Sequence, residues 1–245
     1  MSTRVKQDFE SYWAQTDNTF HANQDQASLN KYAAEICYLV GFGHRLLDCG
    51  CGNGDFLPEL SRHFKKITAI DFSEKMLEKA SEQLQKEGIG HVELMRGDIR
   101  DLKELCKKET FDVILCNAAL QYLTVTEAEQ FVRTCKGLLN ENGKLVLMNI
   151  PDRKLKSLYL TNLYKDDGSR SDMAMFFQSL RARFYLFRKK LFSNRKGDSA
   201  QIGTWFTYHD FKNIASKSGM SCYFSYSMYP PYGYRFHVEM YPQRS

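Results

Sequence analysis

The densest run of chemistry-bearing residues in this chain is Leu46-Leu47-Asp48-Cys49-Gly50-Cys51-Gly52-Asn53-Gly54. An apolar strand leads straight into a G-x-G-x-G turn that opens a helix, and glycine suits such a turn where backbone and ligand approach closely. A second apolar run, Ile67 to Ile70, ends on Asp71, followed by Phe72 and Ser73. Asp71 stands roughly 20 residues beyond the turn, the spacing at which a carboxylate can accept both hydroxyls of a ribose. A dinucleotide fingerprint would carry one more glycine where Asp55 stands, and the strand before the turn ends on an acid, Asp48, so the pattern departs from nicotinamide dinucleotide binding. Cys49 and Cys51 form a C-x-C pair. No second Cys/His pair at ligand spacing accompanies it, so the two read as strand thiols and no metal is expected.

Proton transfer would draw on histidine. His237 lies in Tyr234-Arg235-Phe236-His237-Val238, a strand-like run whose side chains alternate faces, so it can point into the sheet or toward a substrate. His209 falls in the first turn of an expected helix, where a solvated or capping role is the default. His21 closes a stretch that begins Tyr12-Trp13-Ala14-Gln15, and its aromatics could cover a bound ligand or, in the case of Trp13, pack on the core.

These residues need elements to hold them. Leu29, Tyr32, Ala33, Ile36 and Val40 recur at helical spacing from Ser28 onward. Short apolar runs at Leu46 to Cys49, Ile67 to Ile70, Val92 to Met95, Val113 to Cys116 and Leu145 to Ile150 then alternate with helix-like segments, which implies a parallel sheet with crossover helices. Ser73 caps the helix bearing Met76, Leu77 and Ala80, and Gly88 follows its last turn. Thr207 and Asp210 stand as a capping box, with Asp in place of the usual Glu or Gln, and Gly219 closes that helix. Tyr223 to Met228 and Tyr234 to Tyr241 read as a terminal hairpin connected through Pro230, Pro231 and Gly233. The expected organisation is a lid and lead-in helix over 1–40, a ligand-binding core over 41–151, an insertion over 152–203, and a last helix and hairpin over 204–245 that complete the same domain.

Composition sets the outer limits. The 245 residues, 43% hydrophobic and 26% charged, match one globular domain with decorations and give no sign of disorder or repeats. No apolar stretch reaches the roughly 18 residues of a membrane helix, and the seven cysteines are odd in number and scattered, which points to a cytoplasmic chain with reduced thiols. A net charge of +5 is too modest to argue for nucleic acid.

The glycine run, with Asp48 before it and Asp71 after it, resembles the first motifs of the class I S-adenosylmethionine-dependent methyltransferases, and the resemblance continues downstream for about a hundred residues. It implies a doubly wound α/β fold with a mostly parallel seven-stranded sheet, a C-terminal antiparallel hairpin and a helical insertion after the fifth strand. It also implies S-adenosyl-L-methionine as cofactor and S-adenosyl-L-homocysteine as product. By resemblance, Asp48, Gly50, Cys51, Gly52, Asp71, Phe72 and Met76 border the cofactor. Asp98 and Ile99, in Gly97-Asp98-Ile99, take the adenine amino group and ring. Asn117, Ala118 and Gln121, in Asn117-Ala118-Ala119-Leu120-Gln121-Tyr122, border its methionine part and the reacting methyl, while Trp13 is the candidate lid. Many relatives carry histidine near Gln121, an amide that is no base at neutral pH, so the catalytic candidates are His237, His21 and Tyr122.

The acceptor is less determined. From Arg181 to Lys196, seven cations interleave with Phe184, Tyr185, Phe187 and Phe192 without an acid. This insertion reads as a solvated helix face, a cradle for an anionic small-molecule acceptor, or, over 173–196, a contact with anionic lipid. Ile202-Gly203-Thr204-Trp205-Phe206 and the later Tyr234-Arg235-Phe236-His237 loosely resemble small methyltransferases of glycan and secondary-metabolite pathways. That resemblance implies a hydroxyl or amine on a sugar, nucleotide-linked sugar or related metabolite. The alternatives are a lipid or quinone acceptor, and a non-catalytic cofactor-binding regulatory subunit. Oligomeric state is not legible.

Overall fold

The protein was described from a computed structural model, in which residues 26–107, 109–156, 159, 180, 184, 203–227 and 233–243 are described. The lid candidate Trp13 and the catalytic candidate His21 lie outside that set, as does all of the basic segment 173–196 except Leu180 and Phe184.

Seven strands form one sheet: β1 (Gly43–Cys49), β2 (Phe64–Asp71), β3 (Val92–Arg96), β4 (Phe111–Asn117), β5 (Leu139–Pro151), β6 (Met220–Tyr226) and β7 (Arg235–Pro242), in the order β3-β2-β1-β4-β5-β7-β6. The first five run parallel, and β7 pairs antiparallel with both β5 and β6. Among the described residues the α-helices are α1 (Gln26–Val40), α2 (Leu57–Ser61), α3 (Glu74–Lys86), α4 (Leu102–Leu105), α5 (Val125–Leu138) and α6 (Tyr208–Ser218).

Strands covered on both faces read as unbroken apolar runs, and consecutive side chains go to opposite faces. Leu47, Ile114 and Leu145 therefore enter a core with Phe131 of α5 and Phe211 of α6, whereas their neighbours Leu46, Val113 and Val146 enter a second core with Tyr32 and Ile36 of α1, Leu60 of α2 and Ala80 of α3. The helix ends follow the sequence: Ser73 accepts from the Met76 N–H, Thr207 and Asp210 complete a reciprocal capping box, and Gly219 ends α6 in the left-handed region. The strands extend beyond the runs read from sequence, except that the first hairpin strand, β6, ends at Tyr226, and Met228, to which it was expected to run, lies outside the described residues.

Because β1 sits between β2 and β4, chain direction across the sheet reverses at β1. The crevice at the carboxyl ends of β1 and β4 is the topological switch point, where open α/β sheets take their ligands.

Candidate active site

Each glycine of the turn after β1 meets a different demand. Gly50 adopts φ +85°, and a Cβ there would stand 2.6 Å from that of Ala119, so the turn is pressed against the chain leaving β4. Gly52 adopts φ +57° and has nothing within 4 Å of where its Cβ would be, leaving an open face on the turn. Gly54 would collide with Ala80 at 2.9 Å, which is how the turn seats against α3. Tight turn, ligand approach and helix packing are the three duties glycines perform in nucleotide-binding turns. The Ile70 carbonyl pins this turn to β2 by accepting from the N–H groups of both Gly50, at 2.7 Å, and Cys51, at 3.0 Å.

Asp71, at the end of β2, faces that turn. Its Oδ2 accepts from Gly52 N at 2.9 Å and its Oδ1 from Ser73 N at 2.9 Å, so the carboxylate is oriented by backbone while each oxygen retains a lone pair. Burial pushes its pKa up, opposed by these backbone hydrogen bonds. Asp48, at the end of β1, is also buried, and burial followed by the charge of Asp71 pushes its carboxyl up to about 7. Two buried acids at the strand ends beside one turn make a negative site. It attracts a cationic ligand and repels a pyrophosphate, the opposite of what a dinucleotide requires. The residues here fit S-adenosylmethionine, which carries a sulfonium and an ammonium: an open glycine face, an oriented carboxylate for a diol, and a second acid for positive charge.

The remaining cofactor candidates surround the crevice. Phe72 is half-buried and Met76 is buried in the first turn of α3. Ile99 packs on the core beyond β3, and Gly97 N donates to the Asp71 carbonyl at 3.0 Å, tying the end of β3 to the site. Asp98 caps its own turn by accepting from Arg100 N at 2.9 Å and pairs with Arg100 Nη1 at 2.7 Å. Arg100 also reaches Glu127 at 3.0 Å and the Tyr122 carbonyl at 3.2 Å, so Asp98 and Tyr122 are joined through one guanidinium that the sequence reading did not anticipate. Ala118 holds φ +55°, a conformation rare for a side-chain-bearing residue and concentrated at functional sites.

A second group of polar residues lies buried at the ends of β4, β5 and β7. Asn149, also at positive φ, donates through Nδ2 to Asn117 Oδ1 at 2.9 Å and to the Tyr32 hydroxyl, which itself donates to Asn117 Oδ1 at 2.6 Å. Arg235 is fully buried and donates through Nη1 to Gln121 Oε1 at 2.9 Å and to the Asn149 carbonyl at 2.5 Å. Gln121 Nε2 is buried with no hydrogen-bond partner among the described residues. His237 is buried; its Nδ1 accepts from Asn149 N at 3.1 Å, and its Nε2 faces Glu35 Oε1 at 3.4 Å. A backbone N–H can only donate, so Nδ1 carries the lone pair and Nε2 the proton. In this tautomer His237 has no lone pair left for an acceptor proton, and it holds the Asn149 backbone N–H instead.

An aromatic wall adjoins this group. Tyr159, Trp205 and Tyr234 pack with ring centroids 4.7 to 5.9 Å apart, and Thr204 N donates to the Gln121 carbonyl at 2.8 Å. Sequence reasoning named Asn117, Gln121 and His237. It missed Tyr32 and Glu35, which it saw only as part of a lead-in helix, and also Asn149 and Arg235, which sit inside ordinary strand patterns.

The fold is the one seen in solved S-adenosylmethionine-dependent methyltransferases, and the glycine turn with its two acids lies at the same end of the sheet as the crevice. Residues 46–143 match the family model described as a methyltransferase domain. Ubiquinone biosynthesis O-methyltransferase of Actinobacillus pleuropneumoniae serotype 5b (strain L20) is 31% identical over 122 residues, covering 49% of this chain and 50% of that protein. The chain thus spans about half the length of the curated relatives it matches. Two solved structures share the fold across nearly the whole chain. Magnesium protoporphyrin IX methyltransferase from Synechocystis PCC 6803 with bound S-adenosylmethionine has a TM-score of 0.59 at 15% identity and covers 99% of this chain and 92% of its own. The N-methyltransferase NodS from Bradyrhizobium japonicum WM9 in complex with S-adenosyl-L-homocysteine has a TM-score of 0.62 at 14% identity, covering 98% and 99%.

Proposed function

We propose that this chain is an S-adenosylmethionine-dependent methyltransferase acting on an oxygen of a small aromatic acceptor of the quinone-precursor kind. The observation that carries the cofactor half is the turn itself, open at Gly52 and lined by the buried acids Asp48 and Asp71. The bound sulfonium supplies an electrophilic methyl, and what the protein must add is alignment and exclusion of water.

Gly52 and Asp71 hold the nucleoside end, and Asp48 supplies negative charge beside the turn. Ala118 and Gln121, at the carboxyl end of β4, border the methyl, as the family resemblance implies. Gln121 Nε2, a buried donor with spare capacity, orients an acceptor oxygen. Tyr159, partly buried and backed by Trp205 and Tyr234, offers a flat face for an aromatic ring. The names of the matched relatives favour this acceptor over the sugar or sugar nucleotide first read from the carboxy-terminal pattern.

The reading is tested by incubating the protein with methyl-labelled S-adenosylmethionine and three acceptor sets: catechols and polyprenylated catechols, sugar nucleotides, and small amines. Label transfer to catechols above the other sets is expected. Transfer confined to sugar nucleotides or amines would overturn the acceptor assignment while leaving the cofactor assignment intact.

A further inference from the structure

Away from the crevice, three side chains that sequence spacing does not connect come together on the outer side of α1 and α2. Cys37 of α1, Glu59 of α2 and His63 just beyond it present a thiol sulfur, a carboxylate oxygen and a ring nitrogen all within 4.8 Å of one another, each half-buried. We propose that these three residues bind a divalent cation of the zinc class, a site separate from the methyl-transfer crevice and independent of the proposed function.

The donor set argues for the metal class. Thiolate with imidazole suits a borderline-soft ion, and a single carboxylate fits neither calcium nor magnesium, which gather several oxygens. Zinc with three protein ligands completes its tetrahedron with water, which half-exposed side chains permit.

The ring of His63 is already prepared. Its Nδ1 lies 3.1 Å from the Gly41 carbonyl, and because a carbonyl can only accept, Nδ1 carries the proton and Nε2 keeps the lone pair. A ligating histidine anchored through its other nitrogen to a backbone carbonyl is the usual supporting arrangement of protein metal sites. Phe42 stacks on the ring at 4.2 Å and 8°, fixing its plane.

Metal–ligand bonds of about 2.0 to 2.3 Å in a tetrahedron place donor atoms about 3.5 Å apart. The three side chains therefore need to close by about 1 Å, within reach of rotamer adjustment. Glu59 also pairs with Arg62 at 2.5 Å, but the Arg62 side chain is well exposed, so that pair competes weakly. Burial, and secondly the charge of Glu59, push the Cys37 thiol up to about 11. The Glu59 carboxylate draws a cation, which would displace the thiol proton on binding. Occupancy would tie α1 to α2, and α1 is the helix that carries Tyr32 and Glu35 into the buried polar group.

The test is a Co2+ titration of the full-length chain, reduced and stripped with chelator, followed by absorbance, with Zn2+ then added as competitor. The expected result is a near-ultraviolet thiolate-to-cobalt band saturating at one equivalent, bleached by Zn2+. Cys37→Ser and His63→Gln should each lose the band while keeping the wild-type circular dichroism spectrum, and Cys222→Ser should retain it. Zn2+ should raise the melting temperature of wild type but not of Cys37→Ser. No thiolate band at a several-fold excess of Co2+, or a band that survives both Cys37→Ser and His63→Gln, would overturn the site.

Discussion

The two halves of the crevice are built by different means. The side around Gly50 to Asp71 is made of backbone: glycine conformations, peptide N–H groups aimed at Asp71, and a carbonyl at Ile70 that pins the turn. The side around Asn149 and Arg235 is made of side chains from four distant segments, Tyr32 and Glu35 on α1, Asn117 and Gln121 after β4, Asn149 on β5, and Arg235 and His237 on β7. A shared cofactor needs only one fixed geometry, which a short motif can encode. An acceptor pocket varies with its substrate and is assembled from whatever side chains the sheet ends bring together.

The contrast is broken most severely at Gly50. Gly50→Ala forces a side chain into the left-handed region and against Ala119, and should cost about 2 to 4 kcal/mol of stability, measured by denaturant unfolding. Gly52→Ala meets no neighbour, so its stability loss should stay near 1 kcal/mol while S-adenosylmethionine affinity falls much further. Equal losses of stability at both positions would mean that the open face at Gly52 is not a ligand face.

On the other side, Arg235→Met removes the donor that satisfies two buried acceptors, Gln121 Oε1 and the Asn149 carbonyl. It should destabilise the fold by about 2 to 3 kcal/mol while sparing cofactor affinity, because the two halves are separately built. Asp71→Ala should do the reverse, weakening cofactor binding by about 1 to 3 kcal/mol in calorimetric titration. A cofactor defect in Arg235→Met as large as that in Asp71→Ala would erase the distinction.

The smallest effect is a pH dependence. Asp48 titrates at about 7 in the folded protein, above its unfolded value, because burial and then Asp71 disfavour the charge. Its contribution to stability is therefore fully present below its unfolded pKa of about 4 and lost as pH rises through about 7. Asp48→Asn should flatten that part of the stability profile. A cationic cofactor favours the ionised form, so its affinity should rise with pH, by no more than about tenfold per unit, and level off above about 7. A flat affinity profile from pH 6 to 8 would mean that Asp48 does not sense the cofactor charge.

This division also explains what could be read from the chain alone. The five parallel strands, both antiparallel C-terminal strands, the Thr207 capping box and the Gly219 stop were legible because alternation and capping are local signals. Gly50, Gly52 and Asp71 were legible because the turn and the acid lie about 20 residues apart on consecutive strands. Asn149 was not, since a positive φ inside an apolar strand run leaves no sequence mark. Arg235 and His237 looked like an alternating strand, and only the pairing of β7 with β5 reveals that both are buried against Asn149. Cys37, Glu59 and His63 escaped a search by ligand spacing because their proximity depends on how α1 meets α2.

The central claim is that the negative, glycine-lined turn at the switch point holds a cationic nucleoside cofactor. The most direct test is calorimetric titration of the purified protein with S-adenosylmethionine, S-adenosyl-L-homocysteine and, for contrast, nicotinamide adenine dinucleotide. Binding of the first two at micromolar concentrations, lost in Asp71→Ala, with no heat from the dinucleotide, is the expected result. Binding of the dinucleotide, or of S-adenosylmethionine undiminished by Asp71→Ala, would contradict it.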